Sequence, residues 1–450
     1  MRPLKGSLGL QEIALLEELE TRGSHRVLKG IVKGMELDDF QTYTLAKCII
    51  AKSVLVSLDT GTGKTIIAIG LMNYLKAVYG KEFHMVYICE KNNLSQTVKK
   101  IEEGSNLTCI SMTGEKESVA EAVKYKNPMN YDVIIFTYQA LESMEVVKFF
   151  IKNKDSFVGI IVDESHNLGN EETVLSRAVS GMCRWVKYRT FLTATPLTTK
   201  LEQSVNQLKI LDDAMVQDVR RFVNKYAVRD TESGQITGYK NLEQFRVEFR
   251  YRYVNYTRDM LGMRGNYNIQ VADCEPTEYQ MECSKEKIKS DMSGEHMRVL
   301  VKMLEKYKDE GKKGLIYINI DYNKDIAMSV LQEEGFRLEM LDGRVPHWRR
   351  DEIRGRYNNG EFDFLITNLT RGSDLPSDYI IFYELTNDIK QMIGRAERGL
   401  EGTDLDVVFL VVRGTKEEGY FRENIYKNAI LLRDAMGKDV SEIERARLLI

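Results

Sequence analysis

SVLVSLDTGTGKTIIAIG, residues 53–70, sets an apolar strand, a glycine loop and a helix in direct succession. Val54, Leu55 and Val56 form an apolar run without polar alternation, the pattern of a strand buried on both faces. The loop DTGTGKT (59–65) follows. Gly61 and Gly63 let backbone N–H groups come close to a phosphate, and the helical run from Ile66 to Tyr79 adds the positive potential of its N-terminus. In this context Lys64 is placed to set its ammonium on β- and γ-phosphates, and Thr65 to offer its hydroxyl to Mg²⁺. The full phosphate-loop pattern has glycine at position 58, where this chain has Leu58. A bare glycine turn before a lysine is the bland alternative; the strand before it and the helix after it argue against that.

Outward from this stretch the same texture repeats. HMVYIC (84–89), LTCISM (107–112), DVIIFTY (132–138), FVGIIVDE (157–164) and YRTFLTAT (188–195) read as further buried strands separated by helical stretches. The alternation stops after Pro196, and residues 200–310 read as mostly helical and polar. It returns with GLIYINI (314–320), RLEMLDG (337–343), FDFLITN (362–368), DYIIFYEL (378–385) and DLDVVFLVV (404–412). Two α/β units with parallel sheets are therefore expected. Ile13, Leu16, Leu19, Val27 and Ile31 recur at helical spacing and predict two short helices joined near Gly23. The expected domains are an N-terminal helical segment over 1–34, a first α/β lobe over 35–200, a helical insertion over 201–290 and a second lobe over 291–450.

IIVDESHN (160–167) carries the second candidate cluster. Asp163 would hold Mg²⁺, directly or through water, and Glu164 would orient and activate an attacking water. Two surface carboxylates at a strand end are common, but here an apolar strand delivers them to the same sheet edge as the loop. FLTATPL (191–197) ends another strand with Thr193 and Thr195, whose hydroxyls could link hydrolysis to movement.

Composition narrows the class. The 450 residues carry 64 Lys+Arg against 67 Asp+Glu, a net charge of −3, so any grip on phosphates must come from local basic patches. The six cysteines include no CxxC pair and the five histidines show no metal-ligand spacing, which argues against a disulfide framework and a zinc site. There is no apolar run of ~20 residues and no signal-peptide core, which predicts a soluble, cytoplasmic chain without membrane contact; the resemblance set out next adds association with DNA.

Taken in order, these motifs resemble the superfamily-two helicases and translocases, whose shorter xTGxGKT loop matches DTGTGKT. DESH resembles their second motif, a DEAH-box variant, and TATP their third. TNLTRGSDLP (367–376) looks like the fifth, and QMIGRAER (391–398) has the spacing of the sixth. ITGYKNLEQF (236–245), CEPTEYQ (274–280), IFTYQAL (135–141), LTATPL and the LDG turn at 341–343 make the chain most similar to Swi/Snf-type DNA-dependent ATPases, in a minimal form without accessory domains. The resemblance implies two tandem RecA-like lobes with ATP in the cleft between them, N-terminal helices and a helical insertion between the lobes. It places Gln41 on the adenine, residues Thr60, Gly61, Thr62, Gly63, Lys64 and Thr65 around the phosphates, and Asp374 and Gln391 at the nucleotide from the second lobe. Arg395 and Arg398, three apart on a predicted helix, would act as arginine fingers. Lys91, Thr137, Tyr138 and Thr367 become candidates for nucleic-acid contact, mainly through phosphates.

Two further segments are open to a binding role. Residues 216–258 hold nine Lys/Arg, five Asp/Glu and eight aromatics, which suits phosphates and stacked bases as well as it suits an amphipathic segment with its aromatics in a core. RVPHWRRDEIRGR (344–356) has five arginines, but Asp351 and Glu352 favour a salt-bridged surface helix. The function expected is an ATP-dependent motor, a double-stranded DNA translocase using ATP and Mg²⁺, recruited by an unknown protein. A strand-separating or branch-migrating DNA helicase and a DEAD-box-like RNA helicase are the alternatives.

Overall fold

The computed structural model describes residues 7–22, 28–59, 61–113, 126–194, 201–229, 231, 234, 236–256, 261, 266–278, 281, 294–368, 375–385, 389–396, 404–415 and 418–419. The chain divides into two compact units at residues 257/258.

The first unit is built on β1 (Ser53–Leu58), β2 (Met85–Cys89), β3 (Cys109–Met112), β4 (Val133–Thr137), β5 (Gly159–Asp163) and β6 (Tyr188–Thr193). A short antiparallel pair, β7 (Ala227–Arg229) and β8 (Ile236–Tyr239), stands apart, and β9 (Tyr253–Tyr256) returns to the sheet. The sheet runs β3-β4-β2-β5-β6-β1-β9 with every pairing parallel. Strands β1, β2, β4 and β5 are buried at every position. Their unbroken apolar runs follow from this, since both faces are covered by helices. Val54, Val56 and Leu58 of β1 pack with Leu71, Met72 and Leu75 of the helix Lys64–Tyr79 in one core cluster. Burying each such side chain contributes roughly 1.5–3 kcal/mol.

The second unit holds β10 (Asn266–Cys274), β11 (Gly314–Tyr317), β12 (Leu338–Leu341), β13 (Phe364–Thr367), β14 (Tyr379–Phe382) and β15 (Asp404–Val412). They form a parallel sheet in the order β10-β15-β14-β11-β13-β12. Its two faces are separate cores that alternate along each strand: Leu315 and Tyr317 enter one, Ile316 the other. The expected α/β class with two parallel sheets is what is seen.

Three expectations change. Among the described residues the N-terminal stretch holds one helix, Leu10–Arg22; residues 28–37 turn through a Val32–Met35 bridge, and the next described helix is Asp39–Ala51, which carries Gln41. The stretch 200–310, read as helical, also contains β7 to β10. The aromatics of 216–258 are largely core: Tyr226, Phe245, Phe249 and Tyr251 are buried, and Phe222 sits against Tyr226, Phe245 and Phe249 with ring centroids 5.3–6.4 Å apart. Arg252 is buried as well, paired with Asp212. In 344–356 the salt-bridged helix prevails: His347–Asn358 is helical and Arg354 pairs with Asp351 within it, while Arg344 pairs with Asp342 and Asp325, and Arg356 with Glu361.

Candidate active site

Because β1, β5 and β6 are adjacent in the order β5-β6-β1 and parallel, their C-terminal ends deliver DTGTGKT, DESH and Thr193 to one edge of the first sheet. The loop after β1 folds onto itself. Gly61 and Gly63 have φ of 78° and 95°, a region that favours glycine. A Cβ on Gly63 would lie 2.4 Å from Gln41 Nε2. Thr62 Oγ1 donates to the Asp59 carbonyl at 2.7 Å. Lys64 Nζ donates to the carbonyl oxygens of Leu58 at 2.9 Å and Asp59 at 3.3 Å, so the ammonium sits in the cup of the loop.

Gln41 joins this loop to the helix Asp39–Ala51. Its Nε2 donates to the Thr62 carbonyl at 3.2 Å and its Oε1 accepts from the Asp38 amide at 3.0 Å. The glutamine thus caps its own helix and touches the loop at once.

At the end of β5, Asp163 is 9% exposed and its Oδ1 accepts from the Glu164 amide at 3.0 Å. Burial, aided by the neighbouring Glu164 carboxylate and opposed by Lys64, pushes the Asp163 carboxyl up to about 7. Glu164 takes a left-handed backbone with φ 53°, which turns the chain sharply out of the strand. His166 Nδ1 lies 3.3 Å from Thr193 Oγ1 and 3.4 Å from Glu164 Oε2, joining the DESH loop to the end of β6.

Several supports of this loop carried no motif signal. Ser165 Oγ donates to Gln207 Oε1 at 2.8 Å, and Asn206 Nδ2 donates to the Leu168 carbonyl at 2.6 Å, both from the helix Leu201–Leu211. Asn167 Nδ2 donates to Glu90 Oε1 at 3.1 Å. Only the buried polar character of a helix that otherwise reads as amphipathic could have pointed to them.

The other expected residues fall in different places. Tyr138 is buried, and its hydroxyl donates to the carbonyl oxygens of Asp163 at 2.5 Å and Glu164 at 3.1 Å; it holds the DESH turn from beneath. Thr137 is fully buried, its Oγ1 donating to the Thr113 carbonyl at 3.0 Å. Thr367 ends β13 and is fully buried in the second unit. Lys91 is exposed in a short 3₁₀ turn after β2. Gln391 and Arg395 lie on the helix Ile389–Ala396. Thr60, Thr195, Asp374 and Arg398 lie outside the described residues.

The edge therefore offers a lysine in a glycine loop, a buried carboxylate and a second carboxylate beside it. That set is suited to a polyphosphate with a divalent cation. Comparison with known proteins gives the family. The SNF2-related domain model matches residues 44–324, and the helicase conserved C-terminal domain model matches 295–400. The chain is 23% identical over 454 residues to the human "SWI/SNF-related matrix-associated actin-dependent regulator of chromatin subfamily A member 1", covering 87% of this chain and 43% of that protein. It is 22% identical over 420 residues to the Saccharomyces cerevisiae "ISWI chromatin-remodeling complex ATPase ISW1", covering 80% and 37%. The chain spans about two fifths of the length of these relatives. Among solved structures, the Pyrococcus furiosus Hef helicase domain matches with a TM-score of 0.54 at 15% identity, over 89% of this chain and 99% of that one, a likeness of fold. Since the first model covers more than half of it, the chain belongs to the SNF2-related family.

Proposed function

We propose that this member of the SNF2-related family is an ATP-driven motor that hydrolyses ATP to ADP and phosphate and moves along double-stranded DNA. The observation that carries this reading is the convergence of DTGTGKT, DESH and Thr193 on the shared edge of β1, β5 and β6, with Lys64 close enough to pull on the charge of Asp163.

Lys64 would exchange its two carbonyl partners for the β- and γ-phosphates, while backbone N–H groups from Thr60 to Thr65 cradle them. Gln41 would turn its amide to the adenine. Glu164 would orient the attacking water and take its proton. A buried Asp163 whose charge is costly without a countercharge, at the sheet edge to which β1 delivers the loop ending in Thr65, fits Mg²⁺; Asp163 and the Thr65 hydroxyl would hold it. When bound, the ion would neutralise phosphate charge during phosphoryl transfer. Asp374, Gln391, Arg395 and Arg398 would serve the nucleotide from the second unit, the arginines stabilising charge on the transferring phosphoryl. DNA would be gripped mainly by phosphates, with Lys91 in the first unit, and the main chain around Thr137 and Thr367 offering amides. Tyr138 is assigned to positioning DESH. A separate protein would recruit the motor.

The test is steady-state ATPase activity of wild type and Glu164→Gln, alone and with duplex DNA, single-stranded DNA or RNA. Stimulation by duplex DNA that disappears in the variant is the expected outcome. Stimulation by RNA or single strands alone would refute the duplex track, and hydrolysis surviving Glu164→Gln would refute the site.

A further inference from the structure

The last residue of β9 is an aromatic whose main chain meets the start of the glycine loop. β9 is the edge strand of the first sheet, and Tyr256 is in register with Leu58, the residue that ends β1. The Asp59 amide donates to the Tyr256 carbonyl at 3.3 Å, so the first residue of the loop is tied to this tyrosine's main chain. On its other side Tyr256 meets the first turns of the helix Asp39–Ala51. Its ring centroid is 5.6 Å from Phe40 in a tilted arrangement and 6.4 Å from Tyr43 edge to face. All three rings are only partly buried. Phe40 immediately precedes Gln41, whose amide reaches the loop at Thr62. A partly exposed aromatic cluster thus sits on the helix that carries the amide expected to read a base edge, and the main chain of its Tyr256 is tied to the first residue of the loop expected to hold phosphates.

Aromatic side chains next to a hydrogen-bonding amide are the chemistry by which proteins hold a nucleobase: the face stacks, the amide reads the edge. We propose that Tyr256, seated against Phe40, stacks on the purine of the bound nucleotide and sets the preference of the site for purine over pyrimidine triphosphates. This rests on the ATP reading above and adds to it a base-binding residue from the edge strand, remote in sequence from every nucleotide motif. The alternative role, packing the edge strand against the helix, predicts a different pattern of binding.

The experiment measures equilibrium displacement of trinitrophenyl-ATP by ATP, CTP and inorganic tripolyphosphate, for wild type, Tyr256→Ala and Tyr256→Phe of the full chain. Stacking on an aromatic ring accounts for about a tenfold to hundredfold difference in affinity on truncation. Tyr256→Ala should weaken ATP by about that factor and leave tripolyphosphate, which has no base, within about twofold. The ATP-to-CTP ratio should fall towards one, and Tyr256→Phe should behave as wild type. Equal weakening of ATP and tripolyphosphate would overturn the inference in favour of packing, as would ATP affinity unchanged in Tyr256→Ala. If wild type binds neither ATP nor tripolyphosphate, it is the nucleotide reading itself that fails.

Discussion

Arg252→Met is expected to cost the first unit about 3–5 kcal/mol, because it removes one half of a buried ion pair that other groups also depend on. Arg252 and Asp212 side chains are each 1% exposed. Arg252 Nε and Nη2 donate to Asp212 Oδ2 at 3.1 and 2.6 Å, Nη2 donates to Ser7 Oγ at 2.9 Å, and Nη1 donates to the carbonyls of Ala51 and of Ser53, the latter at 3.3 Å. The guanidinium thereby ties the end of the helix Asp39–Ala51 and the start of β1 to the end of the helix Leu201–Leu211. Methionine fills similar space but, among the described residues, leaves the Asp212 carboxylate with the neutral donors of Ser7 and Ala214 alone. At roughly 2–4 °C per kcal/mol for a unit of this size, the melting temperature should fall by about 10 °C. Differential scanning calorimetry at pH 7 measures it, within a double-mutant cycle. Asp212→Leu alone should be comparably destabilising, since it strands the arginine. The pair Arg252→Met with Asp212→Leu removes both charges and should recover most of the loss. A single variant that melts within about 2 °C of wild type, or a double variant no better than the worse single, would refute this account.

Three further outcomes follow from the geometry. Tyr138→Phe removes the donor to the carbonyls of Asp163 and Glu164, and orphaning buried acceptors costs about 1–3 kcal/mol; kcat for ATP should fall about tenfold with KM nearly unchanged, whereas an unchanged kcat would end the positioning role. Gly63→Ala puts a Cβ 2.4 Å from Gln41 Nε2 at a φ of 95°, so trinitrophenyl-ATP binding should be lost while far-ultraviolet circular dichroism is retained; retained binding would show that the loop has another shape. His296 is fully buried, and burial holds its imidazole down at about 4 against an ordinary 6.5. The unfolded chain takes up a proton below pH ~6.5 while the folded one stays neutral to pH ~4, so stability falls as pH drops through that window, by about 3 kcal/mol in all. Urea midpoints of His296→Gln should show a shallower decline over the same window, and parallel slopes would exclude His296 as the source.

How legible was this molecule in its sequence? The strands of both sheets stood out where they are buried on both faces, because such strands must be apolar at every position, as in SVLVSL, and DLDVVFLVV coincides with β15 at both ends. The edge strand β9 did not. YVNY sits in a run of arginines and tyrosines whose polarity suits a binding surface, and nothing local says that Arg252 is satisfied by Asp212, forty residues away. A buried charge looks in sequence like a solvated one; only its partner distinguishes them, and the partner is tertiary. The same holds at the site. That Lys64, Asp163 and Glu164 share one sheet edge was legible because a glycine loop after a strand and a strand-end carboxylate pair use fixed local spacings. Tyr138, expected to contact nucleic acid, is buried, and its hydroxyl reaches from the end of β4 past the intervening β2 to the carbonyls at the end of β5, 25 residues on from Tyr138 in the case of Asp163, a relation that no local pattern announces. Gln207 left only the faint signal of a polar residue on the apolar side of an amphipathic helix, which does not say that it faces Ser165. Local chemistry was therefore readable wherever the backbone itself sets the geometry, and was lost wherever two strands or a strand and a helix must meet to make it. That division explains why Tyr256 read only as one aromatic among the eight of 216–258: its relation to Asp59 and Phe40 exists only once β9 has closed the edge of the sheet.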